Sequence, residues 1–272
     1  MACFVPNHDE DYLPFWEHLE VLRWHIIRSL AAILVVALVA FSSKEFIFHT
    51  LLLGPSRPDF WTYRILCYLS KCLGAPSLCI QPPPLILQSR QLAGQFTMHM
   101  RAALVLGLIG AFPYVLWELW RFVKPGVPFK RRGAIHTSIF IVSLLFILGT
   151  LFGYYVITPL VIHFLANYQL DPGITNSFDM VSYVSTVTTL TLACAFMFQI
   201  PVVVYFLAKI GIVTARLMRS YRRHASVAVL VLAAIITPPD VISQLLIAAP
   251  LVLLYECSML IVQFVENKDG LQ

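Results

Sequence analysis

Six apolar runs, separated by polar and proline-rich punctuation, leave few folds open to this chain. They cover Ile26 to about Phe41 (extended to Phe48), Ala102 to Phe122, Ala134 to about Ile157, Val184 to Ala208, Ala225 to Ile236 and Leu245 to Val265. A membrane-spanning helix needs about 20 apolar residues. The fifth run falls short: roughly a dozen residues reach only ~18 Å against a hydrocarbon core of ~30 Å. Thr237-Pro238-Pro239-Asp240 then turns the chain directly into the sixth run. A tight hairpin of two short spans in a locally thinned bilayer fits that pattern. The expectation is an all-α polytopic membrane protein with six transmembrane helices.

Composition agrees. Of 272 residues only 12% are charged and 59% are hydrophobic, with a mean hydropathy of +0.79. Soluble domains carry about 25% charged residues. Disorder, a basic nucleic-acid-binding domain and an ordinary cytosolic enzyme are excluded. The net charge of +5 is gathered in knots, Lys130-Arg131-Arg132 and Arg216 to Arg223, with no stripe of interleaved aromatics to hold a single strand.

Lys and Arg set the orientation. Arg23 and Arg28 accompany the start of the first span and Lys124 to Arg132 separate the second and third. Arg216 to Arg223 separate the fourth and fifth, and Lys268 follows the sixth. An even number of spans puts all four groups on one side, which the positive-inside bias makes cytoplasmic, with both termini. Residues 1–25 then form a cytoplasmic segment, 123–133 and 210–224 cytoplasmic loops, and 49–97 and 158–183 external loops. The first external loop carries Arg57, Arg64, Lys71 and Arg90, which a long loop tolerates. Asp59 to Leu73 within it has the pattern of an interfacial amphipathic helix, and Gln81-Pro82-Pro83-Pro84 an extended one. The stretch Met1 to Glu20 is acidic and polar, so neither a signal peptide nor a transit peptide is expected there.

Cys67, Cys72 and Cys79 share the external loop, where either one disulfide or three free thiols is consistent with the spacing. Cys194 and Cys257 lie in apolar runs and are expected as small hydrophobes. No zinc spacing, P-loop or Gly-x-Ser-x-Gly occurs. Neither an enzyme nor a cofactor is expected.

Polar groups inside spans are candidate functional residues because lipid penalises them. Gln199 precedes Pro201, which frees a backbone carbonyl; the amide either satisfies that break or meets another helix. Asp240 suits a helix cap after Pro238-Pro239. Glu118 ends the second run beside Arg121 and Lys124, which offer an interfacial ion pair. Glu256 lies within the sixth run and needs a partner in the bundle or on another chain. His99, His136, His163 and His224 fall near span ends.

Several stretches together resemble the TatC family, the polytopic core of the twin-arginine protein translocase. They are His18-Leu19-Glu20-Val21-Leu22-Arg23; Phe112 through Phe122; Lys124-Pro125-Gly126; Phe152-Gly153-Tyr154-Tyr155 to Thr158-Pro159-Leu160; Phe198-Gln199-Ile200-Pro201; and Thr237 through Gln244. They run in family order from about residue 15 to 265. The resemblance implies a single glove-like membrane domain over 1–272 in the bacterial inner membrane. It implies binding of twin-arginine signal peptides on the cytoplasmic face, homo- and hetero-oligomers with single-span TatA/TatB-type partners, and proton-gradient-driven export of folded cargo. No nucleotide or metal is implied, and no nucleic acid.

Two guanidinium groups need carboxylates. Where the family has glutamates this chain has Val21, Arg131 and Gln199. Glu20 sits beside Val21, turned about 100° around a helix, and Glu17 lies nearly one turn earlier on the side of Glu20. Expected signal-peptide contacts are therefore Glu17, Glu20, Val21, Arg23, Glu118, Phe122 and Arg131. Expected partner-helix contacts are Gln199, Thr237, Asp240 and Gln244. Pro113, Pro125, Pro201, Pro238 and Pro239 are expected to shape the backbone. The competing reading is a TatC-fold scaffold that docks partner helices and has lost signal recognition.

Overall fold

A computed structural model describes residues 15–74, 79, 86–123, 134–169, 171, 176–236 and 241–269. Ten α-helices carry the described chain. They are α1 Phe15–Ser42, α2 Trp61–Leu73, α3 Gly94–Val123, α4 Ala134–Phe152, α5 Thr158–Asn167, α6 Met180–Met197, α7 Ile200–Lys209, α8 Ala215–Ser220, α9 Arg222–Ile236 and α10 Val241–Asp269. Among the described residues five stretches are long and apolar enough to cross a membrane: Glu20–Ser42, Gly94–Phe122, Ile139–Asn167, Met180–Lys209 and Ser243–Asn267. The fifth apolar run is helical as α9, but its 15 residues rise only about 22 Å.

Apolar side chains cover the outside of the bundle as well as filling its core. α1 turns Leu34, Val35, Leu38 and Val39 outward. Its seam, buried at His25 and Ala37 and half-buried at Ser29 and Ile33, repeats every four residues and packs on α3. Lipid is as apolar as leucine, so helices associate by close packing of small residues. At Gly107 of α3 an added Cβ would lie 2.7 Å from Ala37 Cβ and 2.8 Å from the Ile33 carbonyl. At Gly149 of α4 it would lie 2.8 Å from the Cys194 carbonyl of α6. Glycine is what allows both contacts.

Two helical stretches extend beyond the apolar runs read from the sequence. α3 begins at Gly94, eight residues before the run, because Met98 and Ala102 enter a core with Val184 and Val187 of α6. The third span passes Ile157 through a π-helical turn, Gly153–Ile157, into α5. The Thr158 hydroxyl bonds the Gly153 carbonyl at 2.8 Å, and Val161 and Ile162 are buried. Thr158–Asn167, expected in an external loop, is therefore helix. Pro201 sits in the first turn of α7, after the break at Phe198 and Gln199, where a missing N–H costs nothing. Pro113 lies inside α3. Pro125, Pro238 and Pro239 fall outside the described residues.

α2 is the amphipathic helix of the first loop. Its Tyr63 is buried and its hydroxyl donates to the Pro55 carbonyl at 3.0 Å. Burial pushes that phenol up to about 12. A disulfide joins Cys67 to Cys79, which decides the alternatives open in the sequence; Cys72 is free and exposed. A short parallel pair, β1 Ile86–Gln88 with β2 Ser177–Asp179, ties the two loops on this side together. All-α patterning gave no signal for it.

The ends of α3 and α7 meet where Trp120 approaches Phe206, ring centroids 5.5 Å apart. α8 and the end of α10 meet where the Ala215 N–H donates to Glu266 at 2.8 Å. With the start of α1 these make a basic face bearing Arg23, Arg28, Arg121, Arg216 and Arg219. α2 and the strand pair lie at the opposite end.

Candidate functional site at the basic end of the first and third helices

Tyr114, Glu118 and Phe122 recur every four residues and share one face of α3. That face meets the start of α1. Glu118 is only 2% exposed and His25 of α1 is 9% exposed. His25 Nδ1 donates to Glu118 Oε2 at 2.5 Å. The Tyr114 hydroxyl donates to Glu118 Oε1 at 2.9 Å. The His25 ring meets Phe122 edge-on, centroids 6.1 Å apart. Both carboxylate oxygens are thus engaged inside the protein, as a buried carboxylate requires. The guanidinium groups of Arg28 and Arg121 also act on this cluster electrostatically.

The sequence offered Arg121 or Lys124 as the partner of Glu118. The partners are His25 and Tyr114. The four-residue spacing of Tyr114, Glu118 and Phe122 was legible in the sequence; the 93-residue connection to His25 was not. Glu256 of α10 likewise finds its partner within the chain, Arg222 at 2.6 Å.

Two to five residues before His25, Glu20, Val21 and Arg23 are exposed on α1. Glu17 belongs to the first turn of α1, and Arg131 lies outside the described residues. The structure therefore brings Glu118 and Phe122 together on His25 and sets Glu20, Val21 and Arg23 on the open surface of the same end of the bundle.

The polar groups expected to meet partner helices are spread over two places. Gln199 stands at the break between α6 and α7. Its Nε2 reaches the Ala195 carbonyl at 3.5 Å and its Oε1 is buried with no partner among the described residues. Gln244, in the first turn of α10, donates to the Leu230 carbonyl of α9 at 3.0 Å, closing the α9–α10 hairpin. Thr237 and Asp240 lie outside the described residues. Arg101, which the second apolar run stopped short of, is on α3 and bonds Thr189 of α6 at 2.9 Å. Among the described residues no cluster of His, Cys, Asp and Glu could hold a metal ion.

Residues 17–250 match the family described as Sec-independent protein translocase protein (TatC). The chain belongs to the TatC family. A TatC from Blattabacterium sp. subsp. Periplaneta americana is 35% identical over 264 residues, 96% of this chain and 99% of that one. A TatC from Carboxydothermus hydrogenoformans is 31% identical over 94% of this chain and 96% of its own length. The crystal structure of the twin-arginine translocase receptor TatC in DDM superposes with a TM-score of 0.72 at 29% identity, covering 89% of this chain and 98% of that one. This member of the family is a multi-pass protein of the inner membrane and a component of the Sec-independent translocase rather than an enzyme. Its polytopic helical fold is that of the solved TatC receptors.

Proposed function

We propose that this chain is the signal-peptide receptor of its translocase. The α1–α3 end of the basic face, cytoplasmic under the positive-inside bias, takes the paired arginines of a signal peptide through its exposed acid. Gln199, Gln244, Thr237 and Asp240 offer hydrogen bonds to single-span TatA/TatB-type helices within the membrane. Folded cargo then crosses at the expense of the proton gradient.

The internal use of Glu118 carries the assignment of roles. Its two oxygens are bonded to His25 and Tyr114, so it braces α1 against α3 instead of presenting a free carboxylate. Among the described side chains, Glu20 is then the exposed acid at this end of the bundle. A guanidinium on Glu20 forms paired, charge-assisted hydrogen bonds that an ammonium cannot reproduce. Phe122 and the exposed Trp24 give the residues beside the arginines an aromatic surface.

A second reading rests on the three replaced acids, Val21, Arg131 and Gln199: a TatC scaffold that docks partner helices without reading the signal. The deciding experiment measures binding of a twin-arginine signal peptide and its twin-lysine counterpart to the full chain in detergent. The receptor reading expects a preference for arginine, lost in Glu20→Gln and increased in Val21→Glu/Arg131→Glu. Equal binding of both peptides by a folded sample that still captures its single-span partner overturns it in favour of the scaffold.

A further inference from the structure

An open cavity of about 610 Å³ lies on the basic face between α8 and the last turn of α10. Its lining includes Arg216, Arg219, Ser220, Gln263, Glu266 and Asn267. Arg216 and Arg219 are three residues apart on α8 and therefore neighbours on one side of it. Both are exposed, and among the described residues neither has a carboxylate within ion-pair distance. Arg222, by contrast, is paired with Glu256. Glu266 introduces one negative charge, but its Oε1 is already held by the Ala215 N–H. Two guanidinium groups against one carboxylate leave the cavity positive.

Its height in the membrane decides the ligand class. The apolar stretch of α10 ends at Asn267, so Gln263 and Asn267 lie in its last two turns, at the level where hydrocarbon gives way to headgroups. On the same two turns Leu260 and Phe264 are 62% and 71% exposed. Ile210, Ile212 and Tyr221, flanking α8, are also exposed. Apolar side chains facing outward beneath uncompensated arginines are the pattern of an interfacial lipid contact.

We propose that this cavity binds the headgroup of an anionic, hydroxyl-bearing phospholipid, with one acyl chain lying along Leu260 and Phe264. Arg216 and Arg219 take the phosphodiester as bidentate donors. Ser220, Gln263, Asn267 and the second oxygen of Glu266 meet the glycerol hydroxyls. The site is separate from the α1–α3 end and does not depend on signal recognition. Its occupancy would fasten α8 to α10 from outside, next to the bond from Ala215 to Glu266.

The test is native mass spectrometry of the full chain in detergent, titrated with phosphatidylglycerol, phosphatidylethanolamine or phosphatidylcholine of identical acyl chains. Phosphatidylglycerol is expected to bind more tightly than the two zwitterionic lipids. Arg216→Gln/Arg219→Gln should weaken it roughly thirtyfold, the product of two surface charges. Arg64→Gln/Lys71→Gln, which removes the same charge from exposed positions of α2, should leave binding unchanged. Arg216→Lys/Arg219→Lys, which keeps the charge and the fold, should fall between. Equal binding of the three lipids, or an unaltered titration in Arg216→Gln/Arg219→Gln, overturns the proposal. Displacement of the lipid by an equal concentration of inorganic phosphate also overturns it, making this a free-phosphate site.

Discussion

His25 of α1 and Glu118 of α3 lie 93 residues apart in sequence and 2.5 Å apart in space. The contact joins two buried side chains at the end of the helix pair that the receptor reading makes the signal-binding surface. Tyr114 completes the arrangement on the other oxygen of Glu118. The first helix packs mainly on the third, so this pair and the seam below it determine how α1 is held.

Removing one partner is therefore expected to cost more than the bond itself. His25→Ala leaves the Glu118 carboxylate buried with one oxygen unsatisfied, a penalty of about 1–3 kcal/mol. Thermal unfolding in detergent should show a clear drop in Tm for His25→Ala and a similar one for Glu118→Leu. The double variant His25→Ala/Glu118→Leu should lose less than the sum of the two, since no charge is then stranded. Strict additivity would mean that the contact carries no coupling.

Glu20 makes the opposite kind of prediction. It is exposed, so Glu20→Gln should leave Tm unchanged while reducing twin-arginine peptide affinity about tenfold or more, the range for a hydrogen bond to a charged group. Twin-lysine affinity should change much less, because lysine makes no bidentate pair. Peptide titration by fluorescence anisotropy separates the two. A lowered Tm with unchanged peptide discrimination would assign Glu20 to the fold instead.

Gly107 admits no side chain. A Cβ there meets Ala37 Cβ at 2.7 Å and the Ile33 carbonyl at 2.8 Å, and neither neighbour is the flexible end of a long side chain. Gly107→Val should destabilise by about 1–3 kcal/mol through overpacking. It should also separate the ends of α1 and α3. A cysteine pair introduced across the seam, at Val36 and Gly110, where an added Cβ would lie 3.0 Å from Val36 Cγ1, reports the separation as lost cross-linking efficiency.

The Cys67–Cys79 bond closes a short loop, with a sequence separation of 12. Chain-entropy reasoning gives about 3 kcal/mol for a loop of this size. Cys67→Ser should lower Tm to the value that the parent shows after reduction, and added reductant should leave the variant unchanged. Cys72→Ser, at an exposed free thiol, should have no effect on either measurement. Non-reducing electrophoresis of the parent should show the faster-migrating oxidised form only.

The sequence by itself determined that this chain lives in a membrane as a helical bundle. Apolar length and the scarcity of charge are local properties, and hydrocarbon accepts no alternative to helices with internally bonded backbones. It also determined the interfacial helix α2, the break before Pro201 and the family, because turn prolines and short motifs act within a few residues of themselves. Where helices stop was decided by more than hydropathy: residues 94–101 are helical because Met98 finds burial, and 158–167 continue the third span because Pro159 falls in the first turn of α5, where a missing N–H costs nothing. The strand pair, the pairing of Cys67 with Cys79 and the partner of Glu118 were likewise decided by the fold. Each joins residues whose separation in sequence carries no periodic signal, and only the folded chain brings a buried charge to the one imidazole that can satisfy it.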